Sequence, residues 1–186
     1  MKFGFLILFY CFTNLFASYS NDEIARELKR ISLKNNIDKK ILYTLAKIES
    51  NFNPLIISFT SSHTNFNFKG LKKKVSKYKN KYLISFTGKE KDLQEALRNL
   101  IKQGVKVDVG LMQINSVNFK ENEIPYIFKP SFNIEKSAFV LKQCMSVKST
   151  LKHSIECYNK GVKEVSNFDY YEKFKNNFLR DFGGVK

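Results

Sequence analysis

Residues 37–50 are the most strongly patterned segment of the chain, and they predict an amphipathic helix with an acid near its end. Apolar residues recur at helical spacing and form one stripe: Ile41, Leu42, Leu45 and Ile48. Glu49 follows Leu45 by four residues, so its side chain points along that stripe toward the interior. Asp38 is the predicted cap at the start of the helix, and Asn51 and Pro54 predict that the helix stops here. Burial and the negative end of a helix both raise the pKa of a carboxyl group, so we expect Glu49 to be a protonated acid near neutral pH.

Two further motifs follow this helix in a specific order. The three runs are Glu-Ser-x-Phe-Asn-Pro at 49–54, Gly-Leu-Met-Gln-Ile-Asn at 110–115 and Tyr-Asn-x-Gly at 158–161. Together they resemble the soluble lytic transglycosylase domain, a family that cleaves the glycan strands of peptidoglycan. The resemblance covers residues 22–165, and the longer run at 107–116 is similar to the specialised transglycosylases of type IV secretion systems.

The resemblance implies a fold and a set of site residues. The expected fold class is α+β and mostly α, a lysozyme-like fold with a small β-element. Glu49 is the implied catalytic residue, and Gly110 would permit a close approach of the backbone to a sugar. The residues that the resemblance places at the substrate are Ser50, Gly110, Met112, Gln113, Asn115, Tyr158 and Asn159.

Four of these residues also have an ordinary structural alternative. Ser50 could be a hydroxyl at the end of the helix, and Met112 could fill the core. Asn115 could bind the glycan or cap the next helix. Tyr158 would lie near Glu49 and orient its carboxyl group, or it would be a plain core residue.

One glutamate suffices for the reaction that the resemblance implies, and no cofactor is needed. The acid protonates the leaving oxygen, and the carboxylate then takes a proton from the sugar's own 6-hydroxyl, which closes a 1,6-anhydro ring on the muramic acid. Hydrolases usually place a second carboxylate across the bond. Asp108 is the candidate for that role, and the alternative is a buried acceptor that holds the Gly-Leu-Met-Gln turn. A hydrolytic lysozyme and a non-catalytic peptidoglycan-binding scaffold of a secretion system stay open as rival functions.

Residues 1–20 have the pattern of a secretory signal peptide. One positive charge precedes an apolar core of about ten residues, and small residues follow it. We expect cleavage after Ala17 or Ser20, and a lysozyme-like domain over residues 21–186 in the periplasm. A retained interfacial anchor is the alternative.

Cys144 and Cys157 remain once the signal peptide is removed. An even pair in an exported chain predicts a disulfide, which would tie a core helix to the segment that carries Tyr158. Two buried free thiols are the alternative. Neither His63 nor His153 has a ligand spacing to the cysteines, so no metal site is predicted.

The chain is strongly basic, with 32 Lys and Arg against 17 Asp and Glu and a formal net charge of +15. Seven lysines lie within residues 69–81, which predicts a solvated, mobile loop between short strands at 55–60 and 82–87. Such a loop could raise the rate of encounter with anionic peptidoglycan, or it could have no role of its own. The signal peptide, and the lack of a basic helix with interleaved aromatic residues, lead us to expect no nucleic acid as a partner.

Apolar periodicity and capping residues predict the remaining helices. They are expected from Asn21, over 90–103, briefly after Asn115, from a cap at Asn133, over 150–158 and over 168–181.

Overall fold

The computed structural model describes residues 19–183, so residues 1–18 of the predicted signal peptide lie outside the described chain. The described residues form six α-helices and a five-stranded antiparallel sheet, and the predicted α+β, mostly helical class with a small β-element is confirmed. The helices are α1 Asn21–Asn35, α2 Lys39–Ser50, α3 Glu90–Lys102, α4 Pro130–Val147, α5 Leu151–Lys160 and α6 Asp169–Phe182. The strands are β1 Ile56–Ser61, β2 Lys72–Tyr78, β3 Lys81–Thr87, β4 Asp108–Val109 and β5 Ile114–Asn115. Short 3-10 helices span Ser116–Asn118 and Glu121–Glu123.

The helix that carries Glu49, α2, begins and ends where the sequence predicts. The side chain of Asp38 accepts a hydrogen bond from the backbone at the start of the helix. Asn51 adopts the left-handed conformation at its end, with φ of 52°. Leu42 and Leu45 are completely buried, so the predicted apolar stripe faces the core.

The sheet has the strand order β2-β3-β1-β4-β5. The predicted strand pair is confirmed, because β1 and β3 are antiparallel neighbours with Ile57 opposite Phe86. The predicted lysine loop is wrong, since seven of its residues form β2 and pair with β3. Every side chain of β2 is exposed. An edge strand of this kind needs only backbone pairing on one side, so its sequence carries no alternation of apolar and polar residues that would have predicted it.

The start of α4 differs from the prediction. The helix begins at Pro130, a residue that suits the first turn because its missing N–H has no helical partner there. Asn133, predicted as the cap, therefore lies inside the helix, and it is completely buried. The predicted disulfide is confirmed: Cys144 of α4 and Cys157 of α5 are joined, with their Cα atoms 5.7 Å apart.

The core lies between the helices and the inner face of the sheet. It includes completely buried leucines from two helices, Leu42, Leu45, Leu97 and Leu100. Burying such a side chain stabilises the fold by about 1.5–3 kcal/mol. The last helix, α6, lies against α2, where Lys47 and Asp181 form an ion pair of 2.7 Å. None of the helices within residues 19–183 combines the length and the apolar character needed to cross a membrane.

Candidate active site

Glu49 and Tyr170 meet where α2 and α6 pack together. The hydroxyl of Tyr170 donates a hydrogen bond to Oε1 of Glu49. Tyr170 is buried, whereas Glu49 is half-buried. Burial and the negative charge of Glu49 raise the pKa of Tyr170 well above its ordinary value, so the phenol keeps its proton and remains a donor. The contact therefore fixes the orientation of the Glu49 carboxyl group.

The surroundings of Glu49 raise its pKa from 4.5 to about 7. Burial is the main cause, because it disfavours the charged form, and the negative charge of Asp108 acts in the same direction. The hydrogen bond from Tyr170 and the positive charge of Lys173 lower the pKa and offset part of this effect. A carboxyl group with this pKa is present in acid and base forms near neutral pH, so it can give a proton and later accept one.

Residues 110–113 form a tight turn between β4 and β5. Gly110 has a φ of 76°, a backbone conformation that residues with a side chain rarely adopt. A β-carbon at this position would also lie 2.6 Å from Nδ2 of Asn133. The side chain that requires glycine at position 110 is therefore Asn133. From the sequence, the glycine was instead expected to make room for a bound sugar.

The buried side chain of Asn133 holds this turn through hydrogen bonds to the backbone. Its Oδ1 accepts a hydrogen bond of 2.7 Å from the backbone N–H of Met112. Its Nδ2 donates to the carbonyl oxygens of Val109, at 3.0 Å, and Ile127, at 2.9 Å. A buried amide with three partners is fully engaged, which holds the turn in one position.

Asp108 was expected to hold the turn at 110–113, but its hydrogen-bond partner in the structure is Asn115. Its Oδ1 accepts a hydrogen bond of 2.8 Å from Nδ2 of Asn115. Burial raises the pKa of Asp108, and the hydrogen bond from Asn115 opposes this. Asp108 thus acts as an acceptor within the sheet, and Asn133 takes the turn-holding role.

Two hydroxyl groups connect the turn to the helices around it. Ser50 Oγ donates a hydrogen bond of 2.7 Å to the carbonyl oxygen of Leu111. The Tyr158 hydroxyl donates to the carbonyl oxygen of Met112, at 2.9 Å, and lies 2.8 Å from Oγ of Ser137. The turn is therefore attached to the helix that carries Glu49 and to α5.

Tyr158 was expected to orient the carboxyl group of Glu49, but the hydrogen bond to that group comes from Tyr170. Burial is the main cause of the raised pKa of Tyr158, and the negative charge of Glu49 adds to it. The two residues are thus close enough to interact electrostatically. Tyr158 acts on the site through the backbone of the turn.

The other predicted substrate residues differ in their exposure. Met112 is completely buried and fills the core, which is the structural alternative expected for it from the sequence. Gln113 is half-buried, and its Nε2 donates a hydrogen bond of 2.8 Å to the carbonyl oxygen of Gly110. Asn115 caps the 3-10 helix that follows it, through a bond of 3.2 Å from Val117 N–H. Asn159 lies exposed near the end of α5.

Sequence reasoning missed two residues of this site, Asn133 and Tyr170. Pro130 was the available signal for Asn133, because a proline at the first helical position would have placed Asn133 inside the helix. Tyr170 stands four residues before the buried Phe174, but Tyr171 stands three residues before it, so helical spacing gave no signal that singled out Tyr170. Within residues 19–183, no group of three or more His, Cys, Asp or Glu side chains is arranged to hold a metal ion.

A comparison with known families identifies the family of this chain. The model of the transglycosylase SLT domain matches residues 27–179. The matched range contains Glu49, the turn at 110–113, Tyr158 and Tyr170. No curated protein and no solved structure gives a significant match. The chain therefore belongs to the transglycosylase SLT domain family, the lytic transglycosylases that act on peptidoglycan.

Proposed function

We propose that this protein cleaves the β-1,4 bond between MurNAc and GlcNAc in peptidoglycan and leaves a 1,6-anhydro-MurNAc end. The observation that carries the proposal is the single carboxyl group of Glu49, with a pKa of about 7 and a fixed orientation. The reaction needs one group that acts first as an acid and then as a base, and a pKa near the working pH suits both steps.

Glu49 alone gives and takes back the proton that the reaction requires. Protonated Glu49 gives its proton to the glycosidic oxygen while the bond between that oxygen and C1 of MurNAc breaks. The resulting carboxylate takes the proton of the MurNAc 6-hydroxyl as O6 forms a bond to C1. No water is consumed, and Glu49 returns to its acid form. Between the two steps, the hydrogen bond from Tyr170 and the charge of Lys173 stabilise the carboxylate.

Hydrolysis on the same fold is the main rival. A hydrolase that inverts the sugar needs a second, ionised carboxylate to activate water. Asp108 is the acid whose charge acts on Glu49, but its Oδ1 is occupied by Asn115 and burial raises its pKa. A carboxyl group engaged in this way suits a structural acceptor better than a general base, which favours transglycosylation.

The proposed substrate site consists of groups that touch the glycan and groups that hold them. Gln113 and Asn159 are accessible and are proposed to contact the sugars. Ser50 and Tyr158 position the turn through its carbonyl oxygens. The remaining members, Gly110, Met112 and Asn115, are proposed to shape the turn and its flanks.

We propose a periplasmic location, because peptidoglycan lies outside the cytoplasmic membrane, with export by the signal peptide expected at residues 1–20. Of the two expected cleavage positions, we favour the one after Ala17, because cleavage after Ser20 would remove two contacts. The side chain of Ser20 caps α1, and the hydroxyl of Tyr19 donates a hydrogen bond of 2.8 Å to Glu90. The run at 107–116 supports a role in opening the murein for an envelope-spanning machine such as a type IV secretion system.

Mass spectrometry of purified murein sacculi digested with the protein tests this proposal. Soluble fragments with 1,6-anhydro-MurNAc ends are the expected product. Reducing ends would instead identify a hydrolytic lysozyme. Binding to sacculi without any released fragment would identify a non-catalytic scaffold.

A further inference from the structure

One row of the sheet carries polar side chains from the catalytic site to the lysine-rich edge. The strand register places Lys74 opposite Ser85, Ser85 opposite Ser58, Ser58 opposite Asp108, and Asp108 opposite Asn115. Residues that lie directly opposite each other on neighbouring strands project from the same face of a sheet. This polar row crosses four strand spacings, which is about 19 Å.

The neighbouring row has the opposite character. Phe86, Ile57, Val109 and Ile114 pair across β3, β1, β4 and β5 and are 0–2 % exposed. Because successive side chains of a strand point to opposite faces, this apolar row faces the core and the polar row faces outward.

One end of the polar row lies within electrostatic reach of Glu49. Asn115 is bonded to Asp108, whose negative charge acts on Glu49. The hydroxyl oxygens of Ser58 and Ser85 lie 3.0 Å apart. Exposure increases from buried Ser58, through half-buried Ser85, to exposed residues on β2. The row therefore begins at the active site and ends at the protein surface.

A cleft of about 280 Å³ lies on the outer face of the row where it reaches β2. Its polar lining consists of Lys72, Lys73, Lys74, Ser76, Ser85 and Thr87, and the apolar side chains of Ile56 and Leu83 complete it. Hydroxyl groups both donate and accept hydrogen bonds, as sugars require, whereas lysine ammonium groups bind carboxylates. β2 itself contains no acidic residue that would neutralise these lysines. The lining thus suits a ligand that carries hydroxyl groups and negative charge together.

We propose that this polar face extends the substrate site and binds glycan whose stem peptides carry free carboxylates, with Lys72 and Lys74 as the counter-charges. The inference rests on the function proposed above, since it supposes that the glycan runs from Glu49 along the row. It makes the enzyme bind strands with free stem-peptide carboxylates more tightly than strands whose carboxylates are amidated.

The test compares two double variants that each remove two positive charges from the same segment. Lys72→Gln with Lys74→Gln removes the proposed counter-charges. Lys69→Gln with Lys77→Gln is the matched control, because Lys69 precedes the strand and Lys77 pairs opposite Tyr82, on the other face. Both pairs are made in the Glu49→Gln background, and binding is measured to purified sacculi and to sacculi whose free carboxylates have been converted to amides with a carbodiimide and ammonia.

Loss of the Lys72 and Lys74 charges should weaken binding to sacculi about five-fold relative to the control pair, a size typical of two exposed charge contacts. Binding to the amidated sacculi should be the same for both pairs. Arginine at both positions keeps the charge and should restore binding, which separates loss of charge from a damaged strand. Equal weakening of binding to sacculi by the two glutamine pairs would overturn the inference. So would a loss of binding by Lys72→Gln with Lys74→Gln that is as large on amidated sacculi as on untreated sacculi. Because these are binding measurements on an uncleaving background, they can fail while the product analysis of the wild type succeeds, and the reverse.

Discussion

The side chain of Asn133 fills the space that a β-carbon on Gly110 would need, with Nδ2 only 2.6 Å from that position. The same amide accepts a hydrogen bond from the backbone of Met112 and donates one to Val109. The turn beside Glu49 is therefore placed by a buried asparagine on α4. Its glycine is required by this contact as well as by its backbone conformation.

Gly110→Ala should destabilise the protein and reduce activity. Backbone strain at positive φ costs about 1–3 kcal/mol, and the clash with Asn133 adds to that cost. Gly104→Ala is a matched control, since Gly104 has φ of 75° but, within residues 19–183, no other group lies within 4 Å of the place that a β-carbon would take. Urea unfolding measures both. Equal losses of stability would show that Asn133 exerts no steric constraint.

Tyr170→Phe should move the alkaline limb of the pH profile of kcat/KM to higher pH. The hydrogen bond from Tyr170 lowers the pKa of Glu49, so its removal leaves the carboxyl group protonated over a wider range. Tyr158→Phe is the control, because its hydroxyl bonds the carbonyl oxygen of Met112. That variant should lose activity with little movement of the limb. A limb that moves equally in both variants would contradict the role given to Tyr170.

Stability should depend on pH through Glu49 with a defined sign. The pKa of Glu49 is raised from 4.5 to about 7, so the folded protein binds this proton more tightly than the unfolded chain does. Ionising the group costs stability, and the wild type should lose stability relative to Glu49→Gln as the pH rises from 4.5 to about 7. The difference in Tm between the two proteins, measured at pH 5 and pH 8, should change in favour of the variant by about 5 °C. A difference that stays constant would mean that the carboxyl group is not desolvated.

Replacing both Cys144 and Cys157 with serine should lower the free energy of unfolding by about 3 kcal/mol on the chain-entropy model. The disulfide joins α4 to α5, the helix that carries Tyr158. Urea unfolding of oxidised wild type and the double variant measures the loss. Thiol labelling of unreduced protein from the cell envelope gives the complementary test, and two freely labelled thiols would show that the bridge is absent there.

The sequence predicted those parts of the fold that local patterns determine. Asp38, the apolar stripe of α2 and Asn51 define a helix without help from the rest of the chain. The paired strands β1 and β3 carry β-branched and aromatic residues whose inner face is buried, so they too were recognisable.

The parts that it did not predict depend on contacts between distant residues. All side chains of β2 are exposed, and the strand is held in place by backbone pairing with β3. Asparagine is a common helix cap, so Asn133 was assigned that role, although tertiary packing places it within the helix. The contact of Tyr170 with Glu49 joins residues 121 positions apart, and no local pattern distinguishes it from the neighbouring Tyr171.

Release of soluble 1,6-anhydro muropeptides from purified sacculi, by wild type and by Glu49→Gln, tests the central claim most directly. Gln keeps the shape of the side chain but can neither deliver a proton to the leaving oxygen nor take one from the 6-hydroxyl. Proton transfer by a positioned group is worth about a hundred- to ten-thousand-fold, and one residue performs both transfers here, so the loss should lie at the upper end of that range. Thermal unfolding and binding to sacculi should show that the variant is folded and still binds murein. Release of anhydro products by the variant at a rate near that of the wild type would contradict the single-glutamate mechanism.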